Sequence, residues 1–405
     1  MKILCALSRF AYGKEERGEN YDYVHFLPAL RRMGHDVRFI DTGARDLHGD
    51  FGDLNLDFVK SVVEFQPDVI FCVLMHYEIW LETLDLVRAK TPAVLINWGT
   101  DDSWKFSQAS RYFAQHVDLH VTTSSVAARA AKSEGLGNVM LSQWAAADDK
   151  LAAPTAARDC IHPVSFVGSQ YGYRAEWLAE LRRAGVEMVC FGHGSENGVV
   201  AADRIPEIFN KSMISLNFSG GTGNAPLVAS DNRQIKARTF EVPGAGGFLL
   251  TERAPDLERY FTDGTDVATF ASPSELIEKV RYYMAHSDER DRIAASGFVH
   301  TRDQHTYQKR FADIFDNVSD LLRTRSERAW SLSLSDLADA VKRHRKASVF
   351  GLLRSAFTQV LCLIFGSERG KRAARRIVYE ISWRVCGAST YSARGLPGRL
   401  FYRES

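Results

Sequence analysis

Residues 168–174 read Gly168-Ser-Gln-Tyr-Gly-Tyr-Arg174 and follow a short apolar run. A glycine-bearing loop between a strand and a helix presents backbone N–H groups and a helix N-terminus to an anion, and Arg174 adds charge. The same residues also suit a plain strand-to-helix turn. A second stretch, Gln234-Ile-Lys-Ala-Arg-Thr-Phe-Glu-Val-Pro-Gly-Ala-Gly-Gly-Phe-Leu-Leu250, follows the Gly/Asn-rich loop 219–224. Lys236 and Arg238 beside a helix start suit a diphosphate, and Glu241 suits the hydroxyls of a ribose or sugar. Gly246 is among the glycines that let chain and ligand approach closely. An ordinary helix-strand unit with solvated Lys and Arg and a Glu cap fits the spacing equally well.

Acid–base candidates lie earlier, in Asn97-Trp-Gly-Thr-Asp-Asp-Ser-Trp104. Either Asp101 or Asp102 can accept a proton from a hydroxyl, and adjacent aspartates are also common helix caps. His76, at the end of the preceding strand, is the other candidate base. His120 lies mid-strand and reads as a core residue. No His/Cys set has metal-ligand spacing, so no metal is expected. After the first strand there are only Gly13 and Gly18, without GxGxxG, which disfavours a dinucleotide oxidoreductase.

These residues need a scaffold, and the sequence supplies one twice. From residue 1 to 146, short continuous apolar runs such as Asp68–Met75 and Ala93–Trp98 alternate with amphipathic segments such as Tyr21–Met33 and Asn55–Phe65. That pattern predicts a parallel sheet covered on both faces, a doubly wound α/β domain. Residues 147–160 are small, polar and Pro-containing and read as a linker. The alternation restarts over 161–325, with strands at 164–167, 187–191, 213–218, 247–250 and 267–270, a helix over 236–241 and one long helix over 306–325. Two Rossmann-like domains imply a cleft with ligands at the carboxyl ends of both sets of strands.

The 405 residues carry 51 Lys/Arg and 50 Asp/Glu, but unevenly. Residues 341–405 hold 14 Lys/Arg against 3 Glu, a local +11, which leaves −10 over residues 1–340. Residues 326–405 therefore read as a basic helical tail that meets an anionic surface. Val349, Phe350, Leu352, Leu353, Phe357, Val360, Leu361 and Ile364 recur at helical spacing. An 18-residue stretch containing an Arg makes a poor span, so the alternatives are an interfacial helix on a membrane or a helix docked on the body. Nucleic acid has no use for the apolar stripe. On the membrane reading, a chain ending near residue 335 should stay soluble and keep donor binding. Six scattered cysteines without a CxxC pair and no signal-like N-terminus suit a cytoplasmic protein.

The segments VSFVGSQYGYR, CFGHGSE, MISLNFSGG, KARTFEVPGAGGFLLTE, YFTDGTDVATFASPSEL and RIAASGFVHTRDQHTYQKRF resemble the C-terminal domain of group 1 glycosyltransferases of the GT-B fold, especially the spore-maturation CgeB-like branch. LPALRRMGHDVRFID is similar to that family's first helix and second strand. The resemblance implies a nucleotide-diphosphate sugar as donor, bound by the second domain, an acceptor bound by the first, and no required cofactor. By position it places Gly168 and its loop near the diphosphate, Lys236 and Arg238 as its cations, and Glu241 on the ribose. Group 1 enzymes usually carry a second Glu eight residues earlier; here that residue is Arg233, which leaves the stereochemical outcome open. A glycan, lipid-linked or protein acceptor in envelope polysaccharide synthesis follows from the same resemblance, with the tail at the inner face of the cytoplasmic membrane. A non-catalytic scaffold of the same fold and a nucleotide-sugar isomerase are the alternatives.

Overall fold

A computed structural model describes residues 1–220, 233–346 and 349–404, apart from the side chains of residues 349, 352 and 353. The expected loop at 221–224, and Val349, Leu352 and Leu353 of the apolar stripe, thus lie outside the described residues. The chain divides into two compact units, one made of Met1–Leu141 with Ile314–Ser405, the other of Ser142–Asp313.

The first unit is built on six parallel strands: β1 (Lys2–Leu7), β2 (Asp36–Asp41), β3 (Val69–Cys72), β4 (Val94–Gly99), β5 (Leu119–Thr122) and β6 (Val139–Leu141). Their order is β2-β1-β3-β4-β5-β6. β3, β4 and β5 are buried throughout, mostly apolar with Asn97, His120 and Thr122 as the polar exceptions, as a sheet covered on both faces requires. The helix expected from Asn55 begins at Phe51, because the Asp50 carboxylate accepts from the Asp53 N–H at 2.9 Å and caps it one turn earlier. β1 pairs with β2 on one side and β3 on the other. The chain order thus reverses between β1 and β3, the switch point where open α/β sheets bind ligands.

The second unit repeats the plan with β7 (His162–Val167), β8 (Val189–Phe191), β9 (Ser212–Asn217), β10 (Leu249–Glu252) and β11 (Ala268–Phe270), in the order β11-β10-β9-β7-β8. Its switch point falls between β7 and β9. Residues 147–160, expected as an interdomain linker, belong to this unit; Ala157 N–H donates to the Asp291 carboxylate, and Arg290 donates to the Thr155 carbonyl. The expected Lys236–Glu241 helix spans Arg238–Gly244, and the single helix expected over 306–325 is two, Tyr307–Asn317 and Ser319–Arg325.

Residues 314–405 belong to the first unit, so the second ends at 313 where 325 was expected, and the helical tail is docked on the body, one of its two expected arrangements. Arg325 is buried, and its guanidinium grips both oxygens of Asp118, at the start of β5, at 2.6 Å. That bidentate pair pins the returning chain to the first sheet. Ser331 N–H then donates to the Lys90 carbonyl, Lys90 pairs with Asp336, and Arg345 pairs with Asp50 and Asp53. Leu337, Ala340, Val341, Tyr379, Tyr391, Ala393 and Tyr402 are buried in the same core as Phe51, Phe58, Tyr77 and Trp80. A chain ending near residue 335 would leave that core without Leu337, Tyr379, Tyr391 and Tyr402, which argues against the expectation that such a chain stays soluble and keeps donor binding. The helices Val349–Phe365 and Ser367–Cys386 form a hairpin joined at Gly366. Gly370 lets them meet closely: a Cβ there would strike the Cys362 backbone. Among the described residues no helix is long and apolar enough to cross a membrane.

Candidate functional site

Several of the anticipated residues of the second unit converge on its switch point. The Gly168 loop leaves the end of β7, and the chain after β9 passes beside it. Arg174, at the start of the Arg174–Arg183 helix, is buried and donates to the carbonyls of Ser169 (3.3 Å), Phe218 (3.3 Å) and Gly220 (2.9 Å), with its guanidinium over the Tyr171 ring. It therefore clamps the two loops that straddle the switch point. Its role there is positioning, where direct contact with a phosphate was expected. Two loop amides are likewise engaged, Gly168 N–H with the Phe191 carbonyl and Gln170 N–H with the His193 carbonyl.

Arg238 donates to the Val167 carbonyl at 3.2 Å and forms an ion pair with Glu241. Both side chains stay partly open to solvent at the edge where β7 ends. Lys236 lies two residues before this helix and is half-buried. Gly246 is a correction. It sits three residues before β10, at the opposite edge of the sheet, with φ +77° and the backbone of Ala152 and Ala153 where a Cβ would go. Its need for glycine comes from packing against the 152–153 segment, away from the switch point.

Sequence reasoning passed over the residue at the centre of this edge. Glu252 ends β10 and is almost fully buried, yet it accepts from the Tyr173 hydroxyl at 2.5 Å, Ser219 N–H at 2.9 Å and Gly220 N–H at 3.3 Å, and pairs with Arg233 at 3.3 Å. Burial first, and then the Glu252 carboxylate, push the Tyr173 phenol above its ordinary range. The signal was present in Leu249-Leu-Thr-Glu252: a carboxylate closing an otherwise apolar strand. Arg233, at the position where the resemblance leads one to expect a second Glu, thus meets a carboxylate supplied by the next strand.

The C-terminal edge of the first sheet is different in kind. Asp102 is buried, and His120, also buried, donates to it through Nε2 at 2.8 Å. His120 Nδ1 accepts from Asn97 at 3.2 Å, and the Asn97 carbonyl oxygen accepts from Leu74 N–H at 3.1 Å. Burial would raise the Asp102 carboxyl, but the His120 ring and hydrogen bonds from His120, Ser110 and Thr122 hold it below the usual carboxylate range. This relay stitches the ends of β3, β4 and β5 together. Sealed from solvent, Asp102 cannot meet an acceptor, which corrects its place among the candidate bases. Asp101 remains half-buried at the N-terminus of the Asp102–Lys105 helix and makes no capping bond there.

His76 is half-buried, with Nε2 3.3 Å from the Lys105 ammonium, which also donates to the Met75 carbonyl. Burial, then the charges of Lys105, Arg375 and Arg45, hold His76 well below its ordinary pKa. Burial likewise pushes Lys105 down to about 8 against the pull of Glu78 and Asp101. The lone pair a base would use thus faces a donor, and His76 stands as a neutral ring whose Nε2 meets the Lys105 ammonium. Glu78 orients its loop by accepting from Met75 N–H at 2.8 Å and His76 N–H at 2.7 Å. The Tyr379 ring, from the Ser367–Cys386 helix, lies 5.5 Å from His76. Asp22, in the first turn of the Tyr21–Arg32 helix after β1, was also passed over. It is buried, and burial together with the charge of Asp101 pushes its carboxyl up to about 7. Perturbed carboxyls at a switch point mark functional edges more often than structural ones. Among the described residues, no three His, Cys, Asp or Glu side chains gather as a metal set.

Residues 174–316 match the family profile of a glycosyl transferase-like domain. No curated protein matches the sequence. Among solved structures, the chain is similar to the sucrose-phosphate synthase of Thermosynechococcus elongatus (TM-score 0.58, 12% identity, 80% of this chain and 100% of that one). It is similar to Anabaena HepE in complex with UDP-glucose (0.53, 12%, 79% and 100%). It is also similar to a glycosyltransferase from Rickettsia africae (0.54, 10%, 80% and 98%). At these identities the likeness is one of fold: two Rossmann-like α/β units of the GT-B type carrying a glycosyl transferase-like segment in the second.

Proposed function

We propose that the protein is a glycosyltransferase of the hexosyltransferase type that takes a nucleotide-diphosphate sugar as donor. The observation that carries this reading is that the segment matching the glycosyl transferase-like profile brings the Arg174 clamp, Arg238, Glu241 and Glu252 to one sheet edge at its switch point. There Lys236 and Arg238 would stabilise the diphosphate as it leaves, and Glu241 would take ribose hydroxyls. Asp101, the open member of the Asp22–Asp101 pair, would receive the acceptor hydroxyl's proton as the acceptor oxygen bonds to the sugar's anomeric carbon and the bond to the diphosphate breaks. The acceptor class proposed is a glycan, lipid-linked or protein hydroxyl in envelope or surface polysaccharide synthesis. The protein would act from the inner face of the cytoplasmic membrane, within the CgeB-like branch of the group 1 enzymes.

Thermal-shift measurements with nucleotide-sugars, followed by nucleotide release with and without glycan acceptors, test the reading. Asp101→Asn should keep donor affinity and lose about 100- to 10,000-fold in transfer. Wild-type turnover in that variant would remove Asp101 from the mechanism. Donor binding without any acceptor-dependent release would favour a non-catalytic scaffold, a reading that the Arg233–Glu252 pair in place of the usual second Glu supports. Conversion of the nucleotide-sugar without an acceptor would favour an isomerase.

A further inference from the structure

The C-terminal hairpin has two sides. One side is buried: Leu361, Ala374 and Phe401 form a small core with Phe357 and Val378, and Tyr379 and Ser382 face the first unit's core. The other side leaves large apolar side chains in solvent. At the hairpin's tip Val360, Leu363, Ile364 and Phe365 fall within two turns, with Leu363 87% and Ile364 63% exposed. Along the second helix Ile377, Ile381 and Val385 repeat at intervals of four, so they share one face; Val385 is 77% exposed. A folded chain seldom leaves this many large apolar groups exposed on two neighbouring helices unless something covers them. Residues 360–386 also hold six Lys/Arg against two Glu, with Arg369, Lys371, Arg372, Arg376 and Arg384 exposed.

We infer that the Val349–Cys386 hairpin docks on an anionic phospholipid bilayer, burying the Val360–Phe365 tip and the Ile377–Ile381–Val385 stripe in the interface while the surrounding Arg and Lys meet lipid phosphates. The occupant follows from the charge. A second copy of the chain, packed isologously on this patch, would bring two sets of like cations together. Nucleic acid would leave the apolar side chains uncovered. An anionic interface satisfies both groups at once, and helices of this length and polarity lie on a bilayer without crossing it. The inference gives the peripheral location proposed above a structural surface, and in naming a lipid-linked acceptor it rests on that reading: the same helix carries Tyr379 over His76.

The experiment is co-sedimentation of the full chain with vesicles of phosphatidylglycerol in phosphatidylcholine and with pure phosphatidylcholine, with UDP affinity measured on the same preparations. Wild type should partition at least ~10-fold more onto the anionic vesicles, and less as salt rises. The exposed substitutions Leu363→Glu with Ile381→Glu, and separately Arg372→Glu with Arg376→Glu, should each lower partitioning by about 10-fold or more while leaving the thermal midpoint and UDP affinity unchanged. Equal partitioning of all variants would overturn the inference. So would a wild-type dimer that the same substitutions disperse, since the occupant would then be a second copy. Vesicle binding without UDP affinity would sink the transferase reading alone, and UDP affinity without vesicle binding would sink only the anchor.

Discussion

At the C-terminal edge of the second sheet, Glu252 meets four donors and Arg174 meets three carbonyls. At the same edge of the first sheet, burial foremost displaces the ionisation of Asp22, His76 and Lys105, beside the sealed Asp102–His120–Asn97 relay. The two units share an architecture and differ in how they treat charge. A saturated network holds its shape when a polar ligand arrives, which is what recognition of a diphosphate and a ribose needs. Carboxyls and amines near neutrality change protonation cheaply, which is what moving an acceptor's proton needs. The contrast fits the proposed division, with donor binding at one edge and proton chemistry at the other, and substitutions at each edge can break it.

Glu252→Ala should have the largest effect on stability. The carboxylate is buried, and its loss leaves the Tyr173 hydroxyl and the Ser219 and Gly220 amides without their acceptor, at a cost of ~3–5 kcal/mol in total. The Arg233 pair adds little, since that guanidinium is well exposed. Urea unfolding measures the loss, and UDP affinity should fall with it because the loops flanking the switch point lose their hub. A variant as stable as wild type would mean that the second edge is not the rigid network described.

Asp22→Asn probes the opposite edge through pH. The folded carboxyl is pushed up to about 7, above its unfolded value near ~4. The native state therefore binds the proton more tightly, and the associated stability is present below about pH 4 and lost as pH rises toward 7. Asn, neutral and of the same shape, removes that slope. Its unfolding free energy should exceed that of wild type by ~2–4 kcal/mol at pH 8 and by much less at pH 5. An unchanged difference between the two pH values would show that Asp22 ionises like a surface carboxylate.

Much of the scaffold was legible because continuous apolar runs such as Val69-Ile-Phe-Cys72 and Val94-Leu-Ile96 favour buried parallel strands. What escaped depends on partners far apart in sequence. Arg325 reads as one more cation in a basic helix until Asp118, 207 positions earlier, receives it. The basic tail reads as free charge until Arg345 meets Asp50 and Tyr391 reaches the Gln108 carbonyl. Asp101 and Asp102 look alike in sequence, yet one helical step turns Asp102 inward to His120 and leaves Asp101 half-open. Gly246 shares a glycine-rich run with the ligand-facing residues, but the Arg238–Gly244 helix carries it to the other end of the sheet.

Lys236→Ala and Arg238→Ala give the smallest effect and the finest division within the second edge. If both cations meet the diphosphate, each substitution removes a charge-assisted contact, and nucleoside diphosphate affinity should fall about 10-fold or more, roughly 1.4 kcal/mol, in both. Their structural parts differ. Arg238 also holds the Val167 carbonyl at the end of β7 and pairs with Glu241, so its loss frees two partners inside the folded protein. Arg238→Ala should therefore lower the thermal midpoint by a few degrees as well, and Arg238→Lys should recover part of the affinity but not the two-sided grip on Val167 and Glu241. Calorimetric titration with UDP and a melting curve on each variant read the two quantities separately. Should affinity follow stability alone, falling in Arg238→Ala and not in Lys236→Ala, then Lys236 is no ligand for the diphosphate and the second edge recognises it through Arg238 and its ordered loops.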